Sequence, residues 1–215
     1  MTLLIVIEII PVHMIAPIID SKLVQRAALH ARSLLSRFIP SELCFHNLEH
    51  TQEVVLATQL IAHEARLPRK EIELLIIAAW FHDTGYIVDY DAHEKYSAQI
   101  AMNWLRQTPL RTTEKDKIIG CIKATQMPQR PLTILEQVIC DADLIHLSTK
   151  DYTNKAALLR KEWTFTRGIY TSPKEWMINN IDFLTNHQYF TNYGQEVLEM
   201  KKETNISQLL ATLPM

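Results

Sequence analysis

The chain has 215 residues, of which 47% are apolar and 21% charged, and its formal net charge is −2. That length suits one large domain, or a domain with an appendage, and is enough to bury a substantial core. The near-neutral balance excludes a broad basic field, so a nucleic acid polymer is not an expected partner, although a local basic pocket for one phosphate is compatible with it.

Only four glycines are present, and runs of Leu, Ile, Ala, Glu, Lys and Gln recur at helical spacing, which predicts an all-α fold. Three cysteines, Cys44, Cys121 and Cys140, show no Cys-x-x-Cys pairing, and an odd number cannot close a disulfide framework. A reducing cytoplasmic setting is therefore expected, with each cysteine a small core residue.

The opening MTLLIVIEIIPVHMIAPII is apolar, but it has no basic residue before Lys22 and is interrupted by Glu8, Pro11, His13 and Pro17. Neither a signal peptide nor a spanning helix is expected there. Residues 1–19 read as an apolar arm, or as the product of a start codon placed too far upstream. An amphipathic helix is predicted from about Asp20 to Phe38, stopped by Pro40. HNLEHTQEVVLATQLIAHEARL, residues 46–67, predicts a second, ended at Leu67-Pro68 because the residue before proline resists helical geometry. EIELLIIAAWF, residues 71–81, is apolar almost all the way round, as a helix threading a core is.

After the loop DTGYIVDYDAHE, helices are predicted over about Lys95 to Arg106 and Thr113 to Thr125, the second broken by MPQRP. LTILEQVICDADLIHL, residues 132–147, and DYTNKAALLRKEWTF, residues 151–165, continue the helical pattern. In SPKEWMINNIDFL, Ser172 can cap, Pro173 suits the first turn and Glu175 can reach back in a capping box. From YFTNYGQ onward a turn and one or two short helices are expected. No repeat or linker intervenes, so residues 20–165 read as the core of one domain and 166–215 as a helical extension packed on it.

The stretch AAWFHDTGY poses the chemical question. Gly85 is a good helix stop and would put Asp83 in the last turn, where exposed carbonyls carry partial negative charge. A carboxylate has the wrong sign there. Burying it without a partner costs several kcal/mol, against roughly 5–15 kcal/mol of stability for a whole domain. A cationic side chain could compensate, but the neighbouring His82 points to a metal, since imidazole nitrogen and carboxylate oxygen together suit a borderline or hard divalent ion. Further ligands should then come from other helices. His46 and His50, four residues apart, would share a helix face if the helix has begun by then. Asp141 and Asp143 follow directly on an apolar run, again an expensive place for carboxylates.

A histidine in HNLEH, a His-Asp pair and a later aspartate in DADL, in that order, resemble the HD-domain superfamily of metal-dependent phosphohydrolases over about residues 25–165. The resemblance implies a compact multi-helix bundle with a metal site between central helices, held by His50, His82, Asp83 and Asp143. Asp143 is preferred to Asp141 because the family's last ligand usually precedes a turn like LIHL. It further implies that His46 acts as a general acid, while Phe45 stands where the family often has tyrosine. More narrowly, AAWFHDTGY, HEKYSAQIA, ATQMP, CDADLIHL and LLRKEW look like the HD domains of Pycsar-type antiphage effectors and related predicted phosphohydrolases. Some of those carry membrane segments after the HD domain; this chain is expected to be a stand-alone or truncated version, with a membrane-acting role left unsupported.

The family's dinuclear members place extra histidines near the segment that reads CIKATQMP here, where Thr125 stands instead, so one divalent ion is expected: Mn, Fe, Co, Ni, Zn or Mg. His93 and Glu94 are then groups behind the ligands or facing substrate. Lys95, Lys123 and Arg160 are candidates to hold its phosphate, Asp83 to orient water, Asp141 to act as a cap or partner, and His146 to be a core histidine. The expected activity is hydrolysis of a phosphomonoester or phosphodiester of a small nucleotide-like molecule. The alternative is a regulatory module that binds a nucleotide with little or no turnover. Association into a homo-oligomer is left open.

Overall fold

The computed structural model describes residues 21–212, and among these nine α-helices and no strand are present. They are α1 (Lys22–Phe38), α2 (Leu48–Glu64), α3 (Arg69–Phe81), α4 (His93–Leu105), α5 (Thr112–Ala124), α6 (Ile134–Asp143), α7 (Tyr152–Arg167), α8 (Pro173–Asn186) and α9 (Glu199–Thr212). Short 3-10 turns follow α3 (Thr84–Ile87) and α6 (Ile145–Ser148). The apolar arm expected over residues 1–19 lies outside the described residues. None of the described helices is long and apolar enough to cross a membrane.

Helix α3 is the centre of the bundle. Every residue from Leu74 to Phe81 is buried, and α1, α2, α4, α5 and α6 all pack against it. A helix apolar on all sides is satisfied only by such surroundings. Its last turn therefore delivers His82 and Asp83 to the interior. Helices α2 and α6 also pack on each other, which brings the start of α2 to the end of α6.

Local chemistry moves several predicted boundaries. The Asn47 side chain accepts hydrogen bonds from the backbone N–H of Glu49 (2.8 Å) and His50 (3.2 Å), so α2 begins after His46. It ends at Glu64, ahead of Leu67-Pro68, because Arg66 takes a left-handed φ of 53° and Leu67 N–H returns to the Ala62 carbonyl at 3.0 Å. Helix α3 stops at Phe81, so Asp83 is past the helix and opens the 3-10 turn. Gly85 acts by close approach and not as a left-handed cap: a Cβ there would overlap the His93 carbonyl oxygen of α4. Helix α8 starts at Pro173 with the expected box, Ser172 N–H donating to Glu175 Oε2 at 2.8 Å and Glu175 N–H to Ser172 Oγ at 3.2 Å.

The tail forms one turn of π-helix running into the 14-residue α9, longer than the short helices expected. Its anchors are polar. Asn205 Nδ2 donates to the Leu147 and Thr149 carbonyls at 2.8 and 2.9 Å, and Lys202 Nζ, buried, pairs with Glu199 at 2.6 Å and donates to the His187 carbonyl.

Asp141 is the other anchor. Fully buried, it accepts hydrogen bonds from Phe190 N–H (2.8 Å), Thr191 N–H (2.9 Å) and Thr191 Oγ1 (2.7 Å). Asp141→Ala would strand two backbone donors that the carboxylate now satisfies. A loss of about 3 kcal/mol or more is expected in the unfolding free energy obtained from the urea transition. A shift below about 1 kcal/mol would mean that the carboxylate does not anchor the tail.

Candidate metal centre

Four side chains converge where the ends of α3 and α6 meet the start of α2. His50 Nε2 is 3.5 Å from Asp83 Oδ2 and 3.3 Å from Asp143 Oδ1. His82 Nε2 is 3.2 Å from Asp83 Oδ2 and 3.4 Å from Asp143 Oδ1. Donor atoms of His50, His82 and Asp83 lie within 4.8 Å of one another, and all three residues are buried.

The hydrogen bonds fix what this cluster lacks. His82 Nδ1 lies 2.8 Å from the Ala79 carbonyl; a carbonyl only accepts, so Nδ1 carries the hydrogen and neutral His82 presents a lone pair at Nε2. That nitrogen and Asp83 Oδ2 are buried with no hydrogen-bond partner in the protein. A lone pair facing two carboxylates is repulsive, and either a proton on Nε2 or a cation placed between the groups relieves it. Burial disfavours charge on His82, yet Asp83 and Asp143 outweigh it and raise its pKa well above the ordinary imidazole value. Burial likewise raises both carboxyls, and the histidines, His82 first for Asp83 and His50 first for Asp143, pull them below the usual carboxylate range. Two imidazoles and two carboxylates are a donor set that suits a divalent ion, so the residues fit the expected metal.

A cavity of about 450 Å³ opens onto this cluster and is lined by His46, His50, Asp83, His93, Glu94 and Asp143. His46 sits in the turn before α2, and its ring centroid is 5.6 Å from that of His50. Tyr86 stacks on His93 (3.8 Å) and also packs against His46 (4.7 Å), whose ring is 6.4 Å from that of His93 and tilted by 37° to it. His93 Nδ1 donates to the Tyr90 carbonyl at 3.0 Å, which leaves Nε2 at 3.7 Å from Asp83 Oδ1 and 3.4 Å from Glu94 Oε1.

Glu162, on α7, has no place in the sequence reading. It is fully buried. Its Oε2 accepts from the backbone N–H of Phe45 (2.8 Å) and His46 (3.0 Å), while Oε1 meets His46 Nδ1 at 2.5 Å and accepts from Tyr90 Oη at 2.8 Å. One carboxylate thus fixes the main chain and the ring of His46 together. Burial opposes the imidazolium, but the hydrogen bond and charge of Glu162 prevail and raise the His46 pKa. The one signal in the sequence is an acid three positions after Leu159, on the inward-turned side of α7.

The phosphate candidates are placed differently from one another. Lys95 is exposed, two positions past His93, where the helical repeat turns it outward, and Lys123 is also exposed. Arg160 donates to the Thr171 carbonyl and lines a separate cavity between α7 and α8. None of the three lines the cavity over the cluster, whereas Arg167 does. Thr125 and His146 also line it. His146 is buried with Nδ1 unpartnered, and burial pushes its pKa down to about 3, so it stays neutral.

Fold and site together define an all-helical protein with a candidate divalent-metal centre between its central helices. Residues 47–148 match the family model described as HD domain. The chain is an HD-domain protein through that stretch. Its fold is also similar to a crystal structure of a Lactobacillus plantarum protein, solved as a structural genomics target, with a TM-score of 0.61 and 14% identity over 90% of this chain and 98% of that one. No curated protein matches the sequence significantly.

Proposed function

We propose that this protein is a metal-dependent phosphohydrolase acting on a small nucleotide-like phosphoester, with His50, His82, Asp83 and Asp143 as the residues that would hold one divalent ion. The observation that carries the reading is the pair of buried, unpartnered atoms, His82 Nε2 and Asp83 Oδ2, beside an open cavity that Asp83 lines, in an HD domain. Such an ion, when bound, polarises a phosphoryl oxygen and makes water a competent nucleophile near neutral pH.

The chain's own groups do the rest. Asp83 accepts a hydrogen bond from the attacking water and orients it. His46, as imidazolium, keeps its Nδ1 hydrogen on Glu162 and gives the Nε2 proton to the leaving oxygen as the phosphorus–oxygen bond breaks. Tyr86 packs against the rings of both His46 and His93, and His93 and Glu94 face the substrate from α4.

The test is elemental analysis of the purified chain, run with hydrolysis of generic phosphoesters and nucleotides under added Mn, Co, Ni or Mg. About one metal per chain with metal-dependent turnover is the expected result. Metal with nucleotide binding but no turnover would favour the regulatory reading, and failure to retain any of these metals would defeat the assignment of the centre.

A further inference from the structure

Helix α8 lies outside the residues that match the family model. Of its 14 residues only Leu184 is buried, in a small cluster with Leu147, Tyr152, Ala156 and Leu209. Trp176, Asn179, Asn180 and Phe183 fall at i, i+3, i+4 and i+7, the stripe that a helix on a globular protein ordinarily gives to the core. Here all four line the cavity over the candidate metal centre. If the stripe merely filled a gap in the core, its aromatic residues would be buried, yet Phe183 is 38% exposed and Trp176 is only partly covered. The helix presents this face to the space in front of the site.

The chemistry of that wall is specific. Trp176 meets Trp163 of α7 edge to face, with centroids 5.4 Å apart and planes at 88°. Tyr90 adds a further ring to the lining, with the Arg167 guanidinium 4.9 Å from its centroid. Asn180 is already engaged, accepting from Tyr152 Oη at 2.5 Å and donating to the Trp176 carbonyl at 2.7 Å. The exposed side chain of Asn179 makes no hydrogen bond to the described residues and offers both a donor and an acceptor. Flat apolar faces with one free amide beside them complement a planar heteroaromatic ring, its face on the aromatics and its polar edge on the amide.

Resting on the phosphohydrolase reading, we infer that the α8 face selects phosphoesters whose alcohol half carries a planar heteroaromatic base, with Trp176 stacking on the ring and Asn179 pairing with its edge. The base is thus recognised by residues beyond the HD-domain match, and the scissile phosphate by residues within it.

A nucleoside 5′-monophosphate and ribose 5-phosphate share the same primary leaving group and differ only in the base, so their comparison isolates this face. With the full chain loaded with Mn, kcat/KM is expected to be roughly tenfold or more higher for the nucleotide. Trp176→Ala should lose most of that advantage while keeping ribose 5-phosphate turnover within about twofold, and Trp176→Phe should retain it, since a flat ring remains. Asn179→Ala should alter the ranking among bases. Equal kcat/KM for the two esters in the unaltered protein, or an equal loss on both in Trp176→Ala, would overturn the inference.

Calorimetric titration with the free nucleoside separates this idea from the reading it rests on. Nucleoside binding that needs Trp176, in a protein that hydrolyses neither ester, would leave the base subsite standing and defeat the hydrolase. Hydrolysis of both esters at the same kcat/KM, with no nucleoside binding, would do the reverse.

Discussion

Asp83→Ala is expected to reduce retained metal from about one ion per chain to none. Asp83 Oδ2 is the carboxylate oxygen within 3.5 Å of both His50 Nε2 and His82 Nε2 while making no hydrogen bond to the protein. Its removal takes one of two negative charges from the donor set and leaves two neutral imidazoles with Asp143. The fold should survive, because the lost oxygen holds no other part of the chain in place, and circular dichroism should be unchanged. Metal content by elemental analysis gives the direct readout. Thermal unfolding gives a second: a ligand at 100 times its Kd stabilises by about 2.7 kcal/mol, which for a chain of this size is a rise of roughly 5–10 °C in Tm. Added Mn or Zn should produce that rise in the unaltered protein and none in the variant. Unchanged metal content would sink the assignment.

The parts of this molecule legible in the sequence are those where a cost or a gain is local. Helix α3 is apolar on every side, and no arrangement but the middle of a bundle satisfies it. The cap at Ser172 is written in residues three apart. His82, Asp83 and Asp143 stood out because they end apolar runs, where charge is expensive. What could not be read depends on partners distant in the chain. Asn47 caps α2 and so places His46 before the helix, yet the two histidine rings still converge. Glu162 lies 116 residues from the His46 it holds, and nothing within RKEW distinguishes it from a solvated acid. Lys202 and Asn205 are buried by contacts with His187, Leu147 and Thr149, partners that the sequence of the tail does not show. The 176, 179, 180, 183 stripe of α8 has the spacing of an ordinary core face, and only the structure places it along a cavity.

Glu162→Gln is the variant that tests how His46 is controlled. If His46 is the proposed acid, activity should be present below its pKa and be lost as pH rises through it. Burial alone would pull that pKa down; Glu162 raises it above the ordinary imidazole value of about 6.5. Glutamine keeps the shape and removes the charge, so the alkaline limb of the kcat profile should move to lower pH. At acidic pH the variant should approach the unaltered protein. At alkaline pH it should fall toward His46→Ala, for which a loss of about 10²–10⁴ in kcat is expected with metal content intact. Glutamine also places donors against the hydrogens of Phe45, His46 and Tyr90 that the carboxylate now accepts, so some stability is lost, about 1–3 kcal/mol. That loss alone lowers Tm without moving a pH limb. A variant with reduced Tm and an unshifted profile would make Glu162 a structural anchor, and a shifted limb with metal retained would make it the residue that sets the protonation of the acid.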